Sequence, residues 1–479
     1  MSPNIYCVEA LNHPVFKTLS HVAQNLDLEC YVIGGYVRDH LLNRAGSKDI
    51  DIVAVGDGIA LAQALADALP GASEVSVFKN YGTAMLHYQD ITLEFVGARK
   101  ESYTHNSRNP KVAPGSLADD QNRRDFTINA LALSLDQNQW GALLDPFTGV
   151  DHLAAKLLIT PLDPQVTFSD DPLRMMRAIR FAAQLDFTID PQAWQSIKNQ
   201  AERIKIIAPE RIVDELNKIM STPKPSTGLS LMYEAGLLDI ILPEVTALLG
   251  VEEIEGQRHK DNFWHTLEVV DNISRTTEKL WLRWAALLHD IGKAPTKRFD
   301  PKIGWTFHGH EFLGGKMVHK LFKRLHMPLN EKVKYVQKLV AMSSRPIIIA
   351  EDFVTDSAVR RLVFDASDDL EDLMTLCEAD ITTKNPKKQK RYMQNFATVR
   401  QKIAEVEQRD HLRNFQPRVD DAEIMEAFGI GPSPFIGQIK ETIKEAILEG
   451  EIPNQKEAAR ALMLKKGISL GLTPINSAL

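Results

Sequence analysis

The chain has 479 residues, of which 44% are hydrophobic and 25% charged, with a formal net charge of −7. That length exceeds one compact core and implies roughly two to four domains. No apolar stretch approaches the ~20 residues of a membrane-spanning helix, and three scattered cysteines (Cys7, Cys30, Cys377) exclude a disulfide framework or a cysteine zinc cluster. The opening MSPNIYCVEALNHPVF lacks a basic segment followed by an apolar one, so a cytoplasmic enzyme without a membrane partner is expected. The acidic balance does not exclude RNA, because phosphate contacts depend on local patches. Candidate patches are KNPKKQKR (Lys384–Arg391), the arginines after Asp171, and Leu464-Lys465-Lys466.

Up to about Val150, short β-prone runs alternate with glycine and polar breaks, and IALAQALADAL (Ile59–Leu69) is helical. A mixed α/β unit is expected there. The stretch beginning at Tyr31, YVIGGYVRDHLLNRAGSKDIDIV, is the most informative. An apolar strand ends at Gly34-Gly35, a short amphipathic helix carries Arg38, and a second strand carries Asp49 and Asp51. Residues two apart on a strand share a face, so the two carboxylates converge. Converging carboxylates can hold divalent ions that clamp a triphosphate. The glycines let a phosphate approach the backbone at a helix N-terminus, with Arg38 in reach.

GGYVRD followed by DIDIV resembles the nucleotidyltransferase motif of the bacterial class II tRNA nucleotidyltransferase and poly(A) polymerase family. Tyr36 departs from that pattern, where a small residue is commoner. Glu94 lies in ITLEFV, read as a strand beside the Asp49/Asp51 strand, and is a third candidate for metal binding or proton acceptance. ARKESYTHNSRNPKVAPG (Ala98–Gly115) lacks apolar periodicity and reads as a long mobile loop. Its place resembles the flexible loop that family members use when switching from C to A addition, with Arg108 and Lys111 flanking Pro110. RRDFTINAL matches a second family motif: Arg124 would neutralise nucleotide charge, and Asp125 and Asn129 would supply hydrogen bonds. LLDPFTGVDHL (Leu143–Leu153) matches the family's connection out of the catalytic domain.

From about Asp151 the pattern is helical. SDDPLRMMRAIRFAAQLDF (Ser169–Phe187) resembles the family's base-selecting helix, capped by Ser169 or Asp170 with Pro172 in its first turn. Asp171 and Arg174 fall on nearly one face and can reach the Watson–Crick edge of one base. Arg177 and Arg180 drift by about 60° per step around the helix. PERIVDEL (Pro209–Leu216) matches a further family motif and is expected to brace the neck through Glu210 and Arg211. STPKPSTG (Ser221–Gly228) breaks the helices, and Pro243 with the polar run 252–261 marks another boundary.

Beyond it, His265, His289-Asp290, His310 and Asp380 follow the H…HD…D order of the HD metal-dependent phosphohydrolases, His310 being a better extra ligand than His308. The tail from Ile424 reads helix–glycine turn–helix.

The expected fold class is α+β. A nucleotidyltransferase head resembling the polymerase β type (1–150) precedes a helical neck and body (151–255), an HD domain (256–390) and a helical tail (391–479). The resemblance implies template-independent addition of CCA to tRNA from CTP and ATP. Mg²⁺ would be held by Asp49 and Asp51, and an unspecified divalent metal by the HD residues. The alternatives are a poly(A) polymerase or A-adding enzyme and, in another class, an HD phosphohydrolase or phosphodiesterase acting on RNA ends.

Overall fold

The computed structural model describes residues 5–44, 48–79, 82–104, 107–254, 257–258, 261–351, 355–410 and 417–475, with backbone alone at 102–104, 107–111, 257–258, 351 and 409–410. The chain divides into two compact units, Met1–Leu242 and Pro243–Leu479.

The first unit is built on a seven-stranded sheet. In chain order its strands are β1 (Glu29–Ile33), β2 (Asp49–Val55), β3 (Ser76–Phe78), β4 (Thr83–Tyr88) and β5 (Ile91–Gly97). A separate hairpin, β6 (Arg99–Thr104) and β7 (Ser107–Pro114), precedes β8 (Ala132–Ser134) and β9 (Leu143–Leu144). The order across the sheet is β3-β4-β5-β2-β1-β8-β9, antiparallel except for the central β2/β5 pair. Helices α1 (Pro14–Asn25), α2 (Gly35–Leu41), α3 (Gly58–Ala68), α4 (Leu117–Asn122) and α5 (Gly149–Ala154) surround it. Ile50 and Ile52 of β2 are buried, so the alternating Asp49, Asp51 and Val53 share the other face. On that face Ile33, Val53, Ala98, Ala132 and Leu117 of α4 form a small apolar cluster. The cluster seats α4 on the sheet just beyond the carboxylates.

The rest of this unit is helical: α6 (Pro164–Asp170), α7 (Leu173–Leu185), α8 (Pro191–Gln200), α9 (Pro209–Met220), α10 (Pro225–Glu234) and α11 (Leu237–Ile241). A two-residue parallel pair, β10 (Leu157–Leu158) with β11 (Thr188–Ile189), interrupts them. Helix α7 buries Met175, Met176, Ala178, Ile179, Ala182 and Leu185, and packs against α9 and α10. It stops at Asp186, which takes a left-handed conformation at φ 58°.

The second unit holds α12 (Pro243–Thr246), α13 (Asn262–Thr276), α14 (Leu280–Leu288), α15 (Lys293–Thr296), α16 (His310–Arg324), α17 (Glu331–Met342) and α18 (Arg345–Glu351). These are followed by α19 (Asp356–Ala366), α20 (Leu370–Ala379), α21 (Pro386–Asp410), α22 (Asp421–Phe428), α23 (Pro434–Glu449) and α24 (Lys456–Ser469). Two small hairpins, β12/β13 (Glu253–Ile254, Gln257–Arg258) and β14/β15 (Arg298–Asp300, Gly304–Thr306), interrupt the helical pattern. Trp284, Phe263 and Phe322 anchor its core. No helix among the described residues is long and apolar enough to cross a membrane.

Three local expectations change. Ala98–Gly115 is not an irregular loop: β6 and β7 pair antiparallel, with a register shift between Ser102 and Thr104. The two strands stand outside the main sheet, so neither needs the apolar alternation that a core-facing strand displays. The side chains of Arg108 and Lys111 lie outside the described residues. Ser169 and Asp170 do not cap the helix bearing Arg174; they end α6. The Asp171 carboxylate instead accepts from the Leu173 N–H at 3.1 Å, just before α7. The break at Ser221 is shorter than expected, because Pro225 already opens α10.

Candidate active site and metal centre

The parallel pairing of β2 with β5 places Asp51 directly opposite Glu94 and Asp49 opposite Thr92. Asp49, Asp51 and Glu94 therefore lie on one face, and Asp51 and Glu94 line a cleft of about 330 Å³. Burial pushes the Glu94 carboxyl up, and Asp51 and Asp49 push it further. Burial also raises Asp51, with Arg124 and Arg177 opposing the shift. Crowded carboxylates on a half-open strand face are a donor set for hard divalent cations. Gly34 completes this corner at φ +82°. A Cβ there would stand 3.0 Å from Arg124 Nη1 and 3.2 Å from Asp51 Oδ2, so a side chain would fill the cradle.

The cleft also carries much positive charge. Asp51, Glu94, Arg124, Asp125, Asp171, Arg174 and Arg177 all line the cleft, as do Thr83, Arg99, Arg123 and Arg211. Asp120, on α4, is fully buried and accepts from both Arg123 Nε (2.9 Å) and Arg124 Nε (3.2 Å). Arg123 also reaches Glu101 Oε1 at 3.5 Å. Arg174 donates to the Thr167 and Arg123 carbonyls, which fixes it beside Asp171 with further N–H groups to spare. Arg177 donates to Asp125 Oδ2 at 2.7 Å. Burial pushes the Asp125 carboxyl up, but the Arg177 charge and hydrogen bonds from Asn129 and Arg177 outweigh it and hold the pKa at about 2.

Of the expected nucleotide-binding residues, Gly34 and Gly35 do not line the cleft, and neither do three side chains, Arg38, Asn129 and Arg180. Arg38 is 6% exposed, donating to Asp39 and to Asn129 Oδ1 (2.8 Å), with its guanidinium over Phe181. Asn129 is buried between Arg38 and Asp125, donating to the latter at 3.0 Å. Arg38, Asn129, Asp125 and Arg177 thus form one hydrogen-bonded chain. Arg180 pairs with Glu215 of α9 at 2.6 Å and donates to Gln184, which turns it toward the helix core. Arg211, expected to brace the neck, is exposed on the first turn of α9 and lines the cleft. Tyr36 does not disturb the glycine turn, because its hydroxyl leaves that face and donates to the Ala10 carbonyl at 2.6 Å.

In the second unit the five expected histidine and aspartate side chains meet. His265 Nε2 is 2.7 Å from Asp380 Oδ1, and His289 Nε2 is 3.3 Å from Asp290 Oδ2 and 3.6 Å from Asp380. His310 Nε2 is 3.7 Å from Asp290 Oδ1, whereas His308 is exposed. Each of the three histidines engages an oxygen through Nδ1: Thr382 Oγ1 for His265, the Ala286 carbonyl for His289 and the Phe307 carbonyl for His310. Every Nε2 is thereby turned toward the carboxylates, as in metal-binding imidazoles whose other ring nitrogen is held by an oxygen. Gly292 makes the approach possible, since a Cβ there would stand 2.0 Å from the His310 carbonyl oxygen.

Burial disfavours a charged His289, yet Asp290 and Asp380 outweigh it and push its pKa up to about 10. The centre demands positive charge. His289 Nε2 and Asp380 Oδ1 are buried without an aligned hydrogen bond, and the mixed N/O donor set fits a divalent transition metal.

Three family models match the chain: the poly A polymerase head domain over residues 30–159, the probable RNA- and SrmB-binding site of polymerase A over 186–249, and the HD domain over 262–385. The A-adding tRNA nucleotidyltransferase of Deinococcus radiodurans is 31% identical over 438 residues, covering 89% of this chain and 93% of its own. The multifunctional CCA protein of Shewanella frigidimarina is 32% identical over 381 residues, covering 77% and 87%. The chain belongs to the tRNA nucleotidyltransferase and poly(A) polymerase family. The Thermotoga maritima CCA-adding enzyme complexed with tRNA shares the fold at a TM-score of 0.61, with 20% identity over 97% of this chain and 100% of that one. The Bacillus stearothermophilus CCA-adding enzyme in complex with CTP does so at 0.62, with 21% identity over 96% and 99%. Divalent metals are typical of both the nucleotidyltransferase and the HD families.

Within this family member, Asp120 is the main residue that motif reading passed over. Its signal was present: Asp120, Arg123 and Arg124 stand at i, i+3 and i+4, the spacing at which helix neighbours pair. Arg99 and Thr83 carried no comparable signal, because only the strand order brings them to the cleft.

Proposed function

We propose that this chain builds the 3′-terminal CCA of tRNA from CTP and ATP by template-independent nucleotidyl transfer, releasing pyrophosphate. The observation that carries the reading is the convergence, in one cleft, of the Asp51/Glu94 face with Asp171 and Arg174. The RNA 3′-oxygen forms a bond to the α-phosphorus, the bridging bond to the β-phosphate breaks, and the hydroxyl proton leaves. Asp49, Asp51 and Glu94 would hold Mg²⁺, which when bound activates the hydroxyl and neutralises the leaving pyrophosphate. Glu94, the carboxyl pushed up by burial and then by its two neighbours, is the best placed to take the proton. Arg123, Arg124 and Arg177 set positive charge along the triphosphate.

Asp171 keeps one carboxylate oxygen free of hydrogen bonds from the described residues and can accept from an exocyclic amino group. Cytosine and adenine both offer such a donor where guanine and uracil offer a carbonyl. Arg174 donates to the adjacent ring acceptor. One fixed pair thus accepts both correct bases and rejects the other two.

The domain division supported by this reading is a catalytic head at 1–150, a neck and body at 151–255, an HD domain at 256–390 and a tail at 391–479, in a cytoplasmic enzyme. The helical body and tail would hold the tRNA by shape and phosphate contacts. A second reading, addition of A alone, draws on the Deinococcus relative. For the HD centre, the clustered Nε2 atoms and carboxylates favour a metal-dependent phosphohydrolase. Asp49→Ala and Asp51→Ala should each abolish extension of a tRNA lacking CCA while tRNA retention on a filter is kept. Extension surviving in both would contradict the assignment.

A further inference from the structure

Five of the eight residues in Lys384–Arg391 are basic, and the reading above leaves them without a role. All five are exposed. None of Lys384, Lys387, Lys388 and Lys390 pairs with a carboxylate among the described residues, although the chain as a whole is acidic. Their position is costly for a purely structural element. Asn385 Oδ1 accepts from the Lys387 and Lys388 N–H groups, so the cluster sits on the first turns of α21. Cations at a helix N-terminus oppose the helix dipole by about 0.3–1 kcal/mol each. Within α21, Lys387 also repels Lys390 and Arg391, and Lys388 repels Arg391, at i, i+3 and i+4 spacing. A solvated face has no need of this arrangement; a polyanion rewards it.

The cluster is tied to the metal centre. Only five residues separate Asp380 from Pro386, at most about 20 Å of chain, and Thr382 within that link bonds His265 Nδ1 at 3.0 Å. At the centre itself, Lys293 Nζ is 2.7 Å from Asp290 Oδ2 and 5.8 Å from the Phe307 ring, while Lys297, paired with Glu252, lies 5.6 Å from the Trp305 ring. Aromatic faces beside lysines at the reacting site, and an exposed basic cluster a few residues along the chain from it, are the two components of single-strand nucleic-acid binding.

We propose that the HD centre takes the end of a single-stranded RNA rather than a free nucleotide or phosphate ester, with the backbone running over Lys384–Arg391 and the terminal base against Phe307. This rests on the phosphohydrolase reading of that centre. In the reaction, water attacks the terminal phosphorus, the P–O bond to the ribose breaks, and the ribose oxygen takes the proton.

The test uses the full chain carrying Asp49→Ala and Asp51→Ala, so that head chemistry is silent, loaded with Mn²⁺. The substrates are a 3′-phosphorylated oligonucleotide and the matching nucleoside 3′-phosphate. The same oligonucleotide carrying a 3′-terminal 4-thiouridine is photo-crosslinked and the attached peptides are mapped. Lys387→Ala/Lys388→Ala/Lys390→Ala should lower the ratio of kcat/KM values, oligonucleotide over mononucleotide, about 10-fold. The salt slope of oligonucleotide binding at this site should fall by about 2, at roughly 0.7 per phosphate contact. Crosslinks should map to 305–307 and 384–392.

An unchanged ratio, or crosslinks confined to other segments, overturns the proposal. If neither substrate is hydrolysed but the crosslinks map as expected, the RNA track stands and the hydrolase reading fails.

Discussion

Replacing Asp125 by Asn tests whether the arginine wall of the cleft is held by one buried charge. The carboxylate takes hydrogen bonds from Asn129 (3.0 Å) and Arg177 (2.7 Å), and its pKa is depressed from 3.8 to about 2. That depression corresponds to roughly 2 kcal/mol of folding free energy at neutral pH. For a unit of this size it shifts the melting temperature by about 4–8 °C. An amide at this position keeps the shape but turns an N–H₂ toward Arg177, so the guanidinium loses its partner and its aim. Because the folded pKa lies below the unfolded one, the stabilisation is fully present above about pH 4 and is lost as pH falls through about 2. The gap in melting temperature between wild type and Asp125→Asn, followed by calorimetry, should therefore be widest at neutral pH and close toward pH 2. KM for both CTP and ATP should rise in the variant. A double-mutant cycle with Arg177→Met should give a coupling of about 2 kcal/mol. Equal melting temperatures at pH 7, or a gap that does not change with pH, would refute the electrostatic account.

Asp171→Ala and Arg174→Ala should incorporate UTP and GTP at rates approaching those of CTP, measured by single-nucleotide extension, with kcat for pyrophosphate release falling less than selectivity. Arg180→Met should do the opposite. Breaking its ion pair with the buried Glu215 should cost roughly 3–5 kcal/mol of stability and leave nucleotide preference intact at temperatures where the protein is folded. His289→Ala should weaken binding of Mn²⁺ to the second unit by at least about 10-fold in calorimetric titration, without changing the rate of nucleotide addition.

Much of the site was legible because its chemistry is local. Asp49 and Asp51 announce themselves by strand alternation, and the His289-Asp290 pair by adjacency in an apolar helix. Asp171 and Arg174 meet in the cleft even though the helix begins two or three residues later than a cap at Asp170 or Ser169 would set it. What remained hidden depends on which way a helix turns once it packs. Arg177 and Arg180 are one helical step apart, yet the first faces the cleft and the second faces Glu215, a distinction set by α9. Arg38 looked like a phosphate ligand because its helix follows the glycine turn, but Phe181 and Asn129, distant in sequence, close over it. The β6/β7 hairpin was invisible to periodicity because neither strand joins the main sheet.

The direct test of the central claim is extension of a tRNA lacking its CCA, with CTP and ATP supplied separately and together in Mg²⁺. Addition of two nucleotides with CTP alone, and of three with both before the reaction stops, is the predicted result. No extension with CTP together with a single A on a tRNA ending in CC would contradict CCA building and leave an A-adding enzyme, and a long A tract would make the chain a poly(A) polymerase.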